Sequence, residues 1–165
     1  MNATMKRTTI EVVNYLPEHQ QRFKEINEQW ITRKYTMEEE DLKTVNDPDG
    51  YVLKGGGRIY IALHNGYVVG TVAYLNMGEG VYEMIKMAVD EKYRGLKIGK
   101  LLGEHSVQSM KEFGAKTLIL FSNKEGSAAA IQLYYKLGFT EIPLGTSEFQ
   151  RANIKMEKRF DDLAI

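Results

Sequence analysis

The residue types best suited to chemistry are gathered in one short segment, Arg94-Gly95-Leu96-Lys97-Ile98-Gly99-Lys100. A β-rich stretch ends just before it, at about Val89, and a helical pattern begins near Ile98. The first N–H groups of a helix have no partner inside the helix and carry the positive end of its dipole, so a phosphate fits there directly. Gly95 lets the backbone turn and approach a ligand closely, and Gly99 keeps a side chain out of the first helical turn. Arg94, Lys97 and Lys100 add positive charge at the same end. Taken alone, the segment argues for an anion held by backbone; an ordinary strand–turn–helix connection with solvated lysines carries the same pattern. It is not a P-loop, because no Gly-Lys-Ser/Thr occurs at the required spacing, and it lacks the three glycines of the dinucleotide fingerprint.

Composition narrows the chemistry further. The absence of cysteine removes thiolate nucleophiles, disulfide scaffolds and cysteine–zinc sites together. His19 and His64 have no partners at metal-ligand spacing, so no metal is expected. His105, alone on a helix, reads as a packed or exposed residue. Lys plus Arg is 22 and Asp plus Glu is 22, with no basic stripe, so no nucleic-acid partner is expected. No apolar run approaches the ~20 residues that span a bilayer, and residues 1–7 lack the apolar core of a signal peptide. The expectation is a cytoplasmic protein with no membrane partner.

The elements that must position the segment can be read from periodicity and turn chemistry. Residues 8–15 are β-rich, and Pro17 opens a helix running to about Trp30, with Phe23, Ile26 and Trp30 at helical spacing. Thr36-Met37-Glu38-Glu39 reads as a capping box starting a second helix near residue 37. Turn signals follow at 47–50 and 55–57. Two apolar runs, 58–64 and 67–75, flank Asn65-Gly66, whose tolerance of positive φ predicts a type I′ hairpin. Residues 81–89 are a further strand. Residues 98–113 form a helix with Ile98, Leu101, Leu102, His105 and Met110 along one side, ended by Gly114. A buried strand at 117–121, a helix at 127–137 closed by Gly138, and short strands near 139–143 and 152–160 complete the order. That order predicts an α+β fold: a mixed, mostly antiparallel sheet covered by helices. With no linker or repeat, residues 1–165 are expected to form a single domain.

The segment from Arg94 to Gly99 resembles the cofactor motif of the GNAT acetyltransferase superfamily, Arg/Gln-x-x-Gly-x-Gly/Ala, with Lys97 standing where the family usually has glycine. The run from Leu133 through Tyr134, Lys136 and Leu137 to Gly138-Phe139 resembles the family's Leu-Tyr-x-Lys-Leu-Gly-Phe segment, and Asn123 lies between the two. The resemblance is strongest from Val81 to Phe139. It implies a six- to seven-stranded sheet flanked by four helices and splayed open at the cofactor cleft, in a single N-acetyltransferase domain. It implies acetyl-CoA, or another short acyl-CoA, as cofactor. The pantetheine arm would lie along Met87, Ala88 and Val89, the pyrophosphate at Arg94, Gly95, Leu96, Lys97, Ile98, Gly99 and Lys100, and Asn123 beside the arm. The Val89 N–H would face the developing oxyanion, Tyr134 would protonate the departing thiolate, and Glu83 would take the amine proton directly or through water. The acceptor would be a small-molecule or peptide amine, met by Trp30, Tyr35 and the acidic run 38–41, with Tyr74 and Tyr82 as further cleft aromatics; the same run also reads as a solvated helix face. Family members are often homodimers, so self-association is a further expectation. The alternative is a non-catalytic acyl-CoA-binding or regulatory domain on the same fold, which the departure at Lys97 would suit.

Overall fold

Alternation of side chains builds the sheet. In β2 (Arg58–His64), Ile59 and Ile61 enter one apolar core while Tyr60 and Ala62 enter the other. The computed structural model describes residues 9–145 and 150–160. Thr8, where the first strand was expected to begin, and the polar residues 1–7 lie outside them. β1 (Ile10–Asn14), β2, β3 (Tyr67–Gly78) and β4 (Val81–Val89) pair antiparallel in sequence order. β5 (Thr117–Ser122) joins β4 in parallel, and β7 (Ile154–Arg159) and β6 (Thr140–Ile142) extend the sheet antiparallel. The seven-strand order is β1-β2-β3-β4-β5-β7-β6, the expected mixed, mostly antiparallel sheet.

Four α-helices cover it. α1 (Gln20–Lys34) and α2 (Glu39–Asn46) pack on one face through Phe23, Ile26 and Val45. α3 (Ile98–Phe113) and α4 (Ala128–Lys136) pack on the other through Ile98, Leu102, Met110, Ile131 and Tyr134. The Asn65-Gly66 turn has φ of 51° and 85°, as the hairpin requires. Gly114 ends α3 at φ 112°.

Several boundaries differ from the sequence expectation for local reasons. Pro17–His19 is a 3-10 turn, with the Leu16 N–H donating to His19 Nδ1 at 2.9 Å, and the α-helix starts only at Gln20. The second helix is capped two residues later than Thr36: the Glu38 N–H donates to Asp41 Oδ2 at 2.8 Å. The buried face of α3 holds Ile98, Leu102, Gly103, Ser106, Val107 and Met110, and turns Leu101 and His105 to solvent. Tyr74 is buried, its hydroxyl 2.8 Å from Ser106 Oγ, and Tyr82 packs edge-on against Phe113. Tyr74 is a core aromatic and Tyr82 packs against the core half-buried; neither lines the cleft beside β4. None of the helices described is long and apolar enough to cross a membrane.

Candidate active site

The site begins where two strands part. β4 and β5 pair only from Val81↔Thr117 to Met84↔Leu120. Beyond that point β5 continues beside β7, while β4 bends away through a bulge. Thr71↔Ala88 and Ala73↔Ile85 leave one residue of β3 opposite two of β4, and Lys86 takes φ 55°. A non-glycine residue there costs about 1 kcal/mol, so the surroundings must hold it. They do: Thr71 Oγ1 donates to the Lys86 carbonyl at 2.8 Å, and the Asn27 amide donates to Thr71 Oγ1 at 3.1 Å. The Lys86 ammonium reaches Asp41 Oδ1 at 2.6 Å.

The fork opens into a cleft of about 660 Å³. Glu83 sits one residue before the last β4–β5 pair and is 7% exposed. Tyr134 of α4 also lines the cleft, equally buried and edge-on to Phe139. Burial pushes the Tyr134 phenol up to about 12, so it stays protonated over the working range of a protein. Met87, Ala88 and Val89 form the β4 wall, and Trp30 and Tyr35 line the cleft from α1 and its C-cap, their rings 6.4 Å apart and edge-on.

At the far end lies the loop into α3. Gly95 has φ 89°, and Lys97 takes the left-handed conformation at φ 60° as the N-cap of α3. The N–H groups of residues 95–100 have no hydrogen-bond partner among the described residues. Asp90 fixes the start of this loop. Its N–H donates to the Val69 carbonyl at 2.8 Å, and its carboxylate accepts from Lys92 N–H at 3.0 Å and from Arg22 at 2.6 Å. An ion pair between Arg33 and Glu91 ties the same loop to α1.

The family model described as "Acetyltransferase (GNAT) family" matches residues 16–139, three quarters of the chain, from α1 through α4. The chain belongs to the GNAT acetyltransferase family. An N-acetylaspartate synthetase from Xenopus tropicalis is 33% identical over 93 residues, covering 56% of this chain. This chain spans only 34% of that relative. Among solved structures, a GNAT-family acetyltransferase from Staphylococcus aureus superposes with a TM-score of 0.82 at 22% identity, over 93% of this chain and 100% of the other. A Thermoplasma acidophilum N-acetyltransferase in complex with coenzyme A superposes with a TM-score of 0.70 at 17% identity, over 92% and 99%.

Within this GNAT cleft, the sequence-expected residues fall into two groups. Glu83, Tyr134, Met87, Ala88, Val89, Arg94, Gly99, Asn123, Trp30 and Tyr35 line it. Gly95, Leu96, Lys97 and Lys100 lie in the loop and first helical turn beyond the lining, and the Ile98 side chain is core, so only its backbone faces the loop. The Asn123 amide is engaged on both sides: Nδ2 donates to the Arg151 carbonyl at 2.7 Å and Oδ1 accepts from Gly126 N–H at 2.7 Å. The acidic run 38–41 is not a solvated face throughout, because Asp41 is fully buried and Glu38 holds Arg151 at 3.1 Å.

Lys86 and Arg151 were missed altogether, and Asp41 was read only as part of the acidic run 38–41. Asp41 accepts from Lys86 and, at 2.9 and 2.8 Å, from both terminal nitrogens of Arg151. Burial alone would raise the Asp41 carboxyl; hydrogen bonds from Arg151 and Lys86, the Lys86 charge and the Glu38 N–H together bring it down to about 2. Burial pulls Lys86 below its usual range, and Asp41 opposes that. A lysine inside the apolar strand 84–89 was the one sequence signal that could have found the group.

Lys97 carries a direct test. Its left-handed backbone costs roughly 1–2 kcal/mol, which glycine would relieve, less the roughly 0.5–1 kcal/mol of chain entropy that glycine loses on folding. Lys97→Gly is therefore expected to melt at or slightly above the wild-type temperature. Lys97→Val, β-branched at positive φ, is expected to lose more than about 1 kcal/mol in the same denaturation experiment. A glycine variant clearly less stable than wild type would show that the lysine is not strained.

Proposed function

We propose that this chain transfers an acetyl group, or another short acyl group, from acyl-CoA to a primary amine of a small molecule or peptide by direct attack. One observation carries the reading: the fork between β4 and β5 holds two acid–base groups, Glu83 and Tyr134, in its lining and leads to a helix start whose first N–H groups have no partner among the described residues.

The residues present fit an acyl-CoA. The N–H groups of 95–100 and the Arg94 side chain suit a pyrophosphate. The β4 edge released from β5 offers backbone to the amide-bearing pantetheine arm, a form of strand addition. Bound there, the acyl-CoA supplies an activated thioester carbonyl. Because the Asp90 N–H points to β3, strand alternation turns the Val89 N–H toward the cleft, where it suits an oxygen gaining negative charge. Glu83 would take the amine proton, and Tyr134 would give one to the sulfur. The Trp30 indole N–H is buried without a partner among the described residues, a donor left over for the acceptor.

Two measurements test this. Calorimetry with CoA and acetyl-CoA is expected to show saturable one-to-one binding. Release of free thiol from acetyl-CoA across a panel of amines (polyamines, amino acids, aminoglycosides, peptide N-termini) is expected to accelerate with at least one of them. Absence of CoA binding at millimolar concentration would sink the proposal.

A further inference from the structure

The two arms of the fork share no backbone hydrogen bond beyond Met84↔Leu120, yet side chains rejoin them. On one arm, the Lys86 ammonium projects from the β4 bulge to Asp41 of α2 at 2.6 Å. On the other, Arg151, just before β7, donates to both Asp41 oxygens and to Glu38. The Arg151 carbonyl accepts from Asn123, which follows the last residue of β5. A continuous polar chain thus runs from β4 through Lys86, Asp41, Arg151 and Asn123 to the end of β5. Tyr35 reinforces it: the Arg151 guanidinium lies 5.5 Å from the centre of its ring, and its hydroxyl fills the space where Gly126 lacks a side chain.

Stability alone does not account for this choice of residues. A buried ion cluster gives up much of its Coulomb energy to desolvation, and apolar side chains of similar volume often serve as well or better. An apolar plug would also close the gap. Long charged side chains with directional bonds hold two arms at a fixed separation and leave the slot beside them open. The side chains of Lys86, Asp41 and Arg151 are 3%, 0% and 14% exposed and all border or brace the cleft, with none of them in the anion-binding loop.

We infer that the Lys86–Asp41–Arg151 bridge sets the width of the fork, and that these three are positioning residues which preform the slot for the pantetheine arm of the donor. The inference rests on the acyl-CoA reading above. A slot that must first be organised binds more weakly by the free energy of organising it.

The test needs no acceptor. It compares CoA with the nucleotide portion of CoA alone, which keeps the pyrophosphate and ribose phosphate but lacks the arm. In Arg151→Met, CoA is expected to bind about tenfold more weakly while the armless nucleotide stays within about twofold of wild type. Arg151→Lys, which restores a charge but not the fork of donors, is expected to recover part of the loss. Calorimetric stoichiometry reports the folded fraction in each case. Unchanged CoA affinity in Arg151→Met overturns the inference. So does equal weakening of both ligands, or lost stoichiometry at constant affinity, since either marks a merely structural role. Should Arg151→Met fail to fold, Arg151→Lys decides alone: a selective loss of CoA affinity supports the bridge and no loss overturns it. Wild-type protein that binds neither ligand overturns the acyl-CoA reading itself, a result distinct from wild-type binding with unmoved variants.

Discussion

Tyr134→Phe is expected to lower kcat by roughly 10²–10³-fold with CoA affinity within about twofold of wild type. The substitution removes one oxygen from a side chain that is 7% exposed and keeps its packing on Phe139, so the fold has little reason to respond. What disappears is a proton source beside the fork. The phenol, held near 12 by burial, is protonated in the free enzyme at any pH used for assay, so its loss should appear as a lower plateau and not as a shifted alkaline limb. Steady-state kinetics with the most active amine of the panel, alongside CoA titration, checks both halves. A kcat within threefold of wild type would remove Tyr134 from the reaction and leave proton transfer to solvent.

The contrast between Tyr134 and the ion bridge explains what the sequence could reveal. Tyr134, Gly99 and the Asn65-Gly66 turn are legible because each depends on a few adjacent residues: a helix-start motif, a segment of matching type, a turn requiring positive φ. The fork is inferable too, since strand order and the two segments that resemble the family's motifs imply β4 next to β5. The second helix was misplaced by two residues because Thr36 and Asp41 both satisfy cap chemistry, and the pairing of Asp41 with Glu38 N–H decides between them only in three dimensions. The bridge was invisible for a stronger reason. Asp41 and Lys86 lie 45 residues apart, and Asp41 and Arg151 110 apart. No local period records such a pairing, and an acidic run at a helix start reads as solvated until the partners that bury it are known.

Those same partners make Asp41 the position where substitution should cost most in stability. Asp41→Asn keeps the shape but leaves the Lys86 and Arg151 cations facing a neutral amide at a position that is itself fully buried. Breaking one member of a buried ion cluster costs about 3–5 kcal/mol, because the remaining charges lose their compensation. Chemical denaturation should report a loss of that order. The wild-type protein should show the same interaction as a pH dependence. The folded carboxyl, near 2, lies below the ordinary value of about 3.9 for an unfolded aspartate. Between those values the unfolded chain binds the extra proton, so stability rises with pH through this window. The contribution, of order 2 kcal/mol, is fully present above about pH 4 and is lost as pH falls toward 2. Asp41→Asn should flatten that acid limb while lowering stability at neutral pH. If the variant instead unfolds within about 1 kcal/mol of wild type at pH 7, Lys86 and Arg151 find other partners when Asp41 is neutral, and the bridge is not what holds α2 against the fork.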